Sequence, residues 1–599
     1  MGKENDSVSI ESVSSTPGSP NEKTVVKQEK KKEFRWRVVD NESPPEIYNK
    51  TLYLSVFVFG VLGSARGFDE GCISGTVAQK SFIEEFGLKS KLLTLSEQAN
   101  LKSNITSMVQ LGSIGGSALA MWTVDRFGRI RTLQGVCVLW IAAAIIQATS
   151  HSVGQLYAGR LIEGFAIGQT TTIGPTYMSE VAPKAIRGLC GCIFAGAVYF
   201  GIMTAYFANY GTALHVVGRN QWVIPTSMKC VLAFLILVGS TFLCVESPRW
   251  LMKIGNDDKA AKNLSRLRGL PVDHPYILSE IADINEHVLR EKEQTSGNTI
   301  LGNFREIIMT KSIRYPFFAV CCMSQLLGQW SGANAITIYS PELMALAGAA
   351  GTEKLKMTAV LGVVKFISAY LSAFFIIDFL GRRRALYIGI TVQLISILYF
   401  AIFLTIVPEA EEDHPNLSNS QFHAAQAALA ALFLSGTGWT MGFNSIQYLI
   451  GSEMFPLRIR SFAQSLVMVL HFANQYGNSK ALPKMLLAMD NYGAFYFFVA
   501  VLACSLFWAY FFIPEVSGRS LESIEEIFSL PWYLVGRRGA ELCPDHSEIN
   551  RVTHNEEGNG NAHGGHIDYE TKPSEEFLED VEDEGVLKRA NNTKSNGKN

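Results

Sequence analysis

The chain has almost no net charge. Its 52 Lys and Arg are met by 54 Asp and Glu, which leaves −2 at pH 7. That balance offers no attraction to a polyanion, and no basic patch is interleaved with aromatics on an amphipathic stretch. Nucleic acid is therefore not an expected partner. Metal-ligand spacing is missing as well. Of the ten cysteines, Cys72, Cys137, Cys190, Cys192, Cys230, Cys244, Cys321, Cys322 and Cys504 fall in apolar runs and only Cys543 stands in a tail. None has zinc-type spacing with a histidine, so they read as small packing residues. There is no phosphate-cradling Gly-rich Lys loop, no nucleophile elbow and no cluster of metal-ligating side chains. ATP-driven transport and enzyme chemistry thus have no support, and no cofactor is expected. No cleavable signal peptide is visible.

Charge is also missing locally. Charged residues make up 18% of the 599 positions, bunched at both ends and in one central block, against 48% hydrophobic residues. The mean hydropathy is +0.15. Apolar stretches fill the rest, each near the roughly 20 residues a bilayer helix needs. About twelve are expected, starting near residues 51, 104, 133, 153, 190, 226, 315, 356, 384, 423, 461 and 492. Soluble helices rarely run apolar for so long, so the expected class is an all-α membrane protein.

The polar segments divide this array. Residues 1–48 are rich in Ser, Glu and Lys and read as a disordered arm. Its end, Lys30-Lys31-Lys32-Glu33-Phe34-Arg35-Trp36-Arg37, precedes the first span and by the positive-inside rule holds the N-terminus in the cytosol. Two six-helix halves are expected over 49–246 and 315–513, joined by cytosolic amphipathic helices over 247–314. An even number of spans returns the tail, 514–599, to the cytosol, with disorder expected after about residue 536. Asn416-Leu417-Ser418 falls in an expected outside loop and offers a glycosylation acceptor; Asn104-Ile105-Thr106 abuts a span.

One charged phrase occurs twice. Asp125-Arg126-Phe127-Gly128-Arg129 and Asp378-Phe379-Leu380-Gly381-Arg382 each follow an apolar run, with Gly381 standing 253 residues after Gly128. Each reads as a tight turn between two membrane helices. A period this long suggests two copies of a helical bundle, an arrangement of secondary transporters rather than a solenoid.

Charges inside apolar spans are costly and point most sharply to function. The first span contains Arg66, Asp69 and Glu70, and the fourth contains Arg160 and Glu163. A carboxylate at membrane depth needs a partner or takes up a proton. Asp69 with Arg160 is the expected couple, whose protonation would free Arg160 and bias a rocking motion. Glu70 and Glu163 read equally well as structural charges at span ends.

Together these residues resemble the sugar porter family of the major facilitator superfamily. The resemblance rests on Gly67-Phe68-Asp69, the Asp125 phrase, Gly159-Arg160, Pro175 through Pro183 with Arg187-Gly188, and Glu246-Ser247-Pro248-Arg249-Trp250-Leu251. It continues through the Asp378 phrase, Glu453-Met454-Phe455-Pro456 with Arg460, and Pro514-Glu515 with Gly518, and runs in order from about residue 50 to 530. Gly328-Gln329-Trp330-Ser331-Gly332 is phrased as in fungal members. The resemblance implies alternating access around a central site, proton coupling through Asp69 and Arg160, and function as a monomer in the plasma membrane. It also implies a cytosolic gate of ion pairs drawn from Asp125, Arg129, Glu180, Arg187, Asp378, Arg382, Glu453 and Arg460.

The implied sugar site is Gln329, Asn334 and Tyr339 in span seven, with Tyr448 in span ten and His471 in span eleven. Amides and hydroxyls there would grip a hydroxylated ring. Several positions depart from the family pattern: Gly328 and Ala195 replace glutamines, Ile338 replaces a tyrosine, and Arg66 stands where an aromatic is usual. A pentose or hexose carried by proton symport is the leading expectation. A sugar acid or quinate-like carboxylate held by Arg66 or His471 is the first alternative. His471 reads either as a hydrogen-bonded packing residue or as a proton relay. A non-transporting nutrient sensor on the same fold is the other alternative, suggested by the acidic tail after Gly536.

Overall fold

The computed structural model describes residues 44–183, 186–295, 300–349, 351–376, 381–407, 418–444, 455, 457–514, 527–528, 530 and 534–536. Asp378, Tyr448, Glu453 and the Asn416 acceptor lie outside the described residues, as do the side chains of Arg187 and Arg460. The secondary structure is helical, with no strand among the described residues. The membrane rods are α1 (Lys50–Ala78), α2 (Leu95–Phe127), α3 (Arg129–Ala148), α4 (Val153–Val181), α5 (Arg187–His215) and α6 (Asn220–Phe242). The second set is α7 (311–346), α8 (Glu353–Leu371), α9 (Arg382–Ile406), α10 (Asn419–Trp439), α11 (Leu457–Ala488) and α12 (Tyr492–Phe512). Four shorter helices, Pro248–Lys253, Asp257–Arg268, Pro275–Thr295 and Ile300–Met309, connect the two sets.

Local sequence explains the boundaries. The Asn49 side chain accepts from the Leu52 N–H and starts α1. Thr94 and Glu97 form a reciprocal capping box that starts α2, nine residues before its apolar run begins. Ser418 and Gln421 do the same for α10. Seven of the rods are apolar enough to cross a membrane by composition alone. The others fall short for a physical reason: α2 turns Ser103, Thr106, Gln110, Ser113 and Ser117 inward, and these polar residues dilute the run without facing lipid. The outward faces are apolar, as at Phe57, Phe242 and Phe507, which are 65%, 76% and 64% exposed.

Rod α7 is interrupted. It passes through a π-helical stretch, Pro316–Cys322, then Met323–Trp330, Ala333–Ile338 and Ser340–Leu346. The break before Ala333 falls at Gly332, whose φ is 87°. Irregular backbone at membrane depth is tolerated where it lines a cavity, and broken helices mark binding sites in secondary transporters.

Each half has its own buried apolar cluster. One gathers residues from Leu52 to Leu267 and the other from Ile307 to Val535; Phe472 joins the first, and Tyr199, Ile202 and Tyr206 of α5 join the second. The phrase repeated in sequence is repeated in backbone geometry. Gly128 has φ 92° and ψ 172°, and Gly381 has φ 81° and ψ 163°. Only glycine holds that region without strain, so Gly128 and Gly381 share one backbone conformation at matching positions of the two phrases.

Within lipid, apolar burial between helices supplies little driving force, and close backbone approach takes over. Gly63, Gly67, Gly71 and Gly75 form a stripe at four-residue spacing along α1. A Cβ at Gly67 would overlap the Val198 carbonyl of α5, and one at Gly71 would sit 2.7 Å from the Ile202 carbonyl oxygen. Gly112 and Gly116 of α2 meet Gly164 and Phe165 of α4 in the same way. Gly67→Ala should therefore cost about 1–3 kcal/mol, read as a lower melting temperature of the purified protein. Gly135→Ala, where an added Cβ meets nothing within 4 Å, should leave the melting temperature unchanged or raise it.

Candidate functional site

Four charges are buried together inside the first half. Asp69 (α1), Arg160 and Glu163 (α4) and Lys229 (α6) are each no more than 3% exposed. Lys229 Nζ lies 2.5 Å from Asp69 Oδ1 and 3.1 Å from Glu163 Oε2, while Arg160 Nη1 is 3.9 Å from Asp69 Oδ1. Trp140 Nε1 and Gln147 Nε2 of α3 donate to Glu163 at 2.9 and 2.7 Å. Two cations thus face two carboxylates, as low-dielectric surroundings demand. The expected Asp69–Arg160 couple is brought together, but the cation nearest Asp69 is Lys229. Sequence reasoning passed over Lys229, although a lone lysine in the apolar run of α6 is itself a signal.

A second polar group lies between the halves. Arg66 and Glu70 of α1 are 4.0 Å apart, and Arg66 also stands over the Phe472 ring at 5.7 Å. Gln475 Nε2 of α11 donates to Glu70 Oε1 at 3.5 Å and to Asn334 Oδ1 of α7 at 3.0 Å. Asn334 Nδ2 in turn donates to Ser479 Oγ at 3.4 Å. His471 is buried; its Nδ1 lies 2.8 Å from Gln325 Oε1 and 3.3 Å from Gln329 Nε2. Asn478 Nδ2 donates to the Gln329 carbonyl. Among the described residues, Gln325 Nε2, Gln475 Oε1 and Asn478 Oδ1 have no hydrogen-bond partner. Lys365 of α8, also absent from the sequence-level candidates, is 1% exposed and donates to Thr337 Oγ1 at 2.5 Å. The pair Arg66 and Glu70 of the first half thus meets amides of the second, a set of donors and acceptors able to bind a hydroxylated solute.

At the end of the bundle away from the two glycine turns, the halves are pinned together. Tyr339 Oη lies 2.7 Å from Thr106 Oγ1 of α2 and donates to the Ser479 carbonyl at 2.8 Å. Ser74 Oγ lies 3.2 Å from Ser340 Oγ, Tyr206 donates to the Thr337 carbonyl at 2.6 Å, and Lys102 pairs with Glu342. The Tyr339 hydroxyl, expected to meet sugar, is engaged in this seal.

At the turn end, Arg129 grips Glu180 through two bonds of 3.0 and 2.8 Å and lies 3.4 Å from Asp125. Glu246 accepts the Arg129 and Ile130 backbone N–H groups at 2.9 and 3.1 Å, capping α3 from outside. Burial pushes the Glu246 carboxyl up, against the pull of the Ser247, Arg129 and Ile130 N–H groups. Lys253 reaches Asp125 at 3.5 Å, and Arg268 binds Glu280 and the Val181 carbonyl. The described residues of the expected gate thus pair within the first half, and Lys253 and Arg268 join that half to the connecting helices; Arg382 stands at the start of α9.

Comparison with known proteins agrees with this geometry. The family model described as Sugar (and other) transporter matches residues 55–528. A probable quinate permease of Neosartorya fischeri is 31% identical over 501 residues, covering 82% of this chain and 90% of that protein. The quinate permease of Emericella nidulans is 30% identical over 500 residues, covering 82% and 91%. Among solved structures, the inward-open xylose transporter XylE from E. coli is 22% identical with a TM-score of 0.63, covering 79% of this chain and 99% of that one. The proton:xylose symporter XylE bound to 6-bromo-6-deoxy-D-glucose is 23% identical with a TM-score of 0.65, covering 80% and 99%. At those identities the likeness to the solved structures is one of fold.

Removing one member of the buried ion cluster leaves the others uncompensated. Lys229→Met should cost about 3–5 kcal/mol, seen as a large fall in melting temperature. Adding Glu163→Gln should recover part of that loss, because Asp69 and Arg160 then remain as a neutral pair. Strictly additive losses in the double variant would refute the shared-cation arrangement.

Proposed function

Because the chain belongs to the Sugar (and other) transporter family, we propose that it imports a small polyhydroxylated carboxylate of the quinate kind, with a proton, by alternating access. The observation that carries this reading is a charge count. Between the halves, near the middle of their helices, Arg66 and Lys365 stand with Glu70 among the described residues, Glu70 at 4.0 Å from Arg66 and beyond that range from Lys365. A monoanionic solute brings that set to neutrality; a neutral sugar leaves one buried positive charge uncompensated, which is expensive at membrane depth. The relatives named quinate permease support the same reading. Gln329, Asn334 and Gln475 supply the donors and acceptors for ring hydroxyls, and Tyr448 belongs to the same proposed wall.

Proton coupling is assigned to Asp69. Protonating it removes one negative charge from a balanced cluster, so Lys229 and Arg160 redistribute between Asp69 and Glu163, and the packing of α1 against α4 and α6 changes. The glycine-turn end is taken as cytosolic by the positive-inside rule, with both termini on that side. The seal at Tyr339 then closes the outer face, and the Asp125, Arg129, Glu180 network with Arg187, Asp378, Arg382, Glu453 and Arg460 belongs to the cytosolic gate. A monomer in the plasma membrane, with halves over 49–246 and 315–513 joined by a cytosolic linker, completes the proposal.

A neutral monosaccharide is the second reading, favoured by the amides Gln329, Asn334 and Gln475. Labelled uptake in cells lacking their own sugar and quinate carriers separates the two. Quinate should accumulate above its outside concentration, a protonophore should abolish that, and Asp69→Asn should lose accumulation. Accumulation of xylose or glucose without quinate would establish the monosaccharide reading instead. No uptake of any solute by protein present at the surface would favour a sensor.

A further inference from the structure

Lys365 is a lysine with too few partners. It sits on α8 at 1% exposure, flanked by Val364 and Phe366. Its ammonium carries three donors, and among the described residues the Thr337 hydroxyl is its one hydrogen-bond acceptor. No carboxylate lies within 4.0 Å of it among the described residues, whereas the other fully buried lysine, Lys229, has two. Glu70 is the acidic charge that acts on Lys365, from beyond ion-pair range. Buried ammonium groups are normally paired, because desolvation costs several kcal/mol per ion.

The surroundings show what the missing partner is like. Thr337 follows Asn334 by one turn on the short helix Ala333–Ile338, so both lie on one face. The ammonium thus binds the helix that carries Asn334, one turn from that residue, whose Oδ1 accepts from Gln475; Gln475 Oε1 has no hydrogen-bond partner among the described residues. On its other side Lys365 is held close to α10: a Cβ at Gly436 would come within 3.0 Å of Lys365 Cε. The lysine stem is thus packed against α10, and its head meets the short helix that also carries Asn334. Arg66 and His471, the cations considered from sequence, are already engaged by Glu70 and Phe472, and by Gln325 and Gln329.

We propose that Lys365 is the anchor for the substrate's carboxylate, and so a specificity-determining residue of the second half. This rests on the carboxylate reading above. The carboxylate accepts the free donors of Lys365, while the ring hydroxyls meet Asn334, Gln475 and Gln329. Lys365 lies in one half and Glu70 in the other, so an anion at Lys365 also changes the charge that Glu70 and Arg66 experience across the interface.

The test compares quinate with its neutral methyl ester, in wild type and in Lys365→Met, Lys365→Arg and Thr337→Val. Wild type should prefer quinate, and Lys365→Met should raise the KM for quinate about 10- to 100-fold while leaving the ester nearly unaffected. Lys365→Arg and Thr337→Val should keep the preference, since both retain the cation. If Lys365 served only to balance Glu70, the pair Lys365→Met with Glu70→Gln would restore the preference; the anchor predicts that it stays lost. If Lys365→Met keeps the preference, the anchor assignment falls. If wild type carries the ester as well as quinate, or carries neither, the carboxylate reading itself fails. Should the uncharged variants not reach the membrane, hydrogen exchange on purified wild type decides: quinate, and not the ester, should slow exchange of α8 around Lys365, and equal or absent protection overturns the assignment.

Discussion

A charge inside a bilayer must be balanced where it stands, and much of this architecture follows from that constraint. In the first half the balance is complete: Asp69 and Glu163 face Arg160 and Lys229, with Trp140 and Gln147 filling the remaining carboxylate positions. Between the halves, among the described residues, Arg66 and Lys365 stand with the single carboxylate of Glu70. In the proposed reading of this Sugar (and other) transporter, the balanced cluster takes the proton and the group between the halves takes the anionic solute.

The two places are joined by a single turn of α1. Asp69 and Glu70 are consecutive, so their side chains point about 100° apart around the helix. One enters the cluster with α4 and α6, and the other meets Gln475 of α11. The glycine stripe on α1 meanwhile holds this helix against α5 with almost no space between backbones. A proton added at Asp69 and a solute added beside Glu70 therefore act on the same rigid element. That gives coupling a physical route: both events bias the position of α1, and the seal formed by Tyr339, Thr106, Ser74 and Ser340 is where a change in that position would open or close a path.

The sequence disclosed what depends on local composition. The rods begin within a few residues of the apolar onsets, except α2, whose capped polar first turns precede its apolar run. The Asp125 and Asp378 phrases marked Gly128 and Gly381 as matching helix starts, because a backbone at φ near 90° favours glycine. Asp69 and Arg160 stood out as charges among apolar neighbours. Lys229 and Lys365 stood out in the same way, and the attention given to carboxylates hid them. What could not be read were pairings between distant helices. That Tyr339 meets Thr106 rather than lying open to solute, and that Glu163 shares its lysine with Asp69, are set by how rods 60 to 230 residues apart cross one another. The interruptions in α7 are marked in sequence by Pro316, Gly332 and Pro341, but how the rod breaks at each depends on packing such as that of Gly332 against Phe498.

The balance of charge across the whole transport cycle is open to direct measurement. Protein reconstituted into vesicles would receive a quinate concentration jump while internal pH and membrane current are recorded together. One proton on Asp69 travelling with one carboxylate at the central site makes entry electroneutral, so the vesicle interior should acidify with no sustained current. A sustained current without acidification would mean that the anion crosses alone and that Asp69 does not carry the coupled proton. Acidification driven by glucose or xylose and not by quinate would mean that the unit of positive charge between the halves does not select the solute.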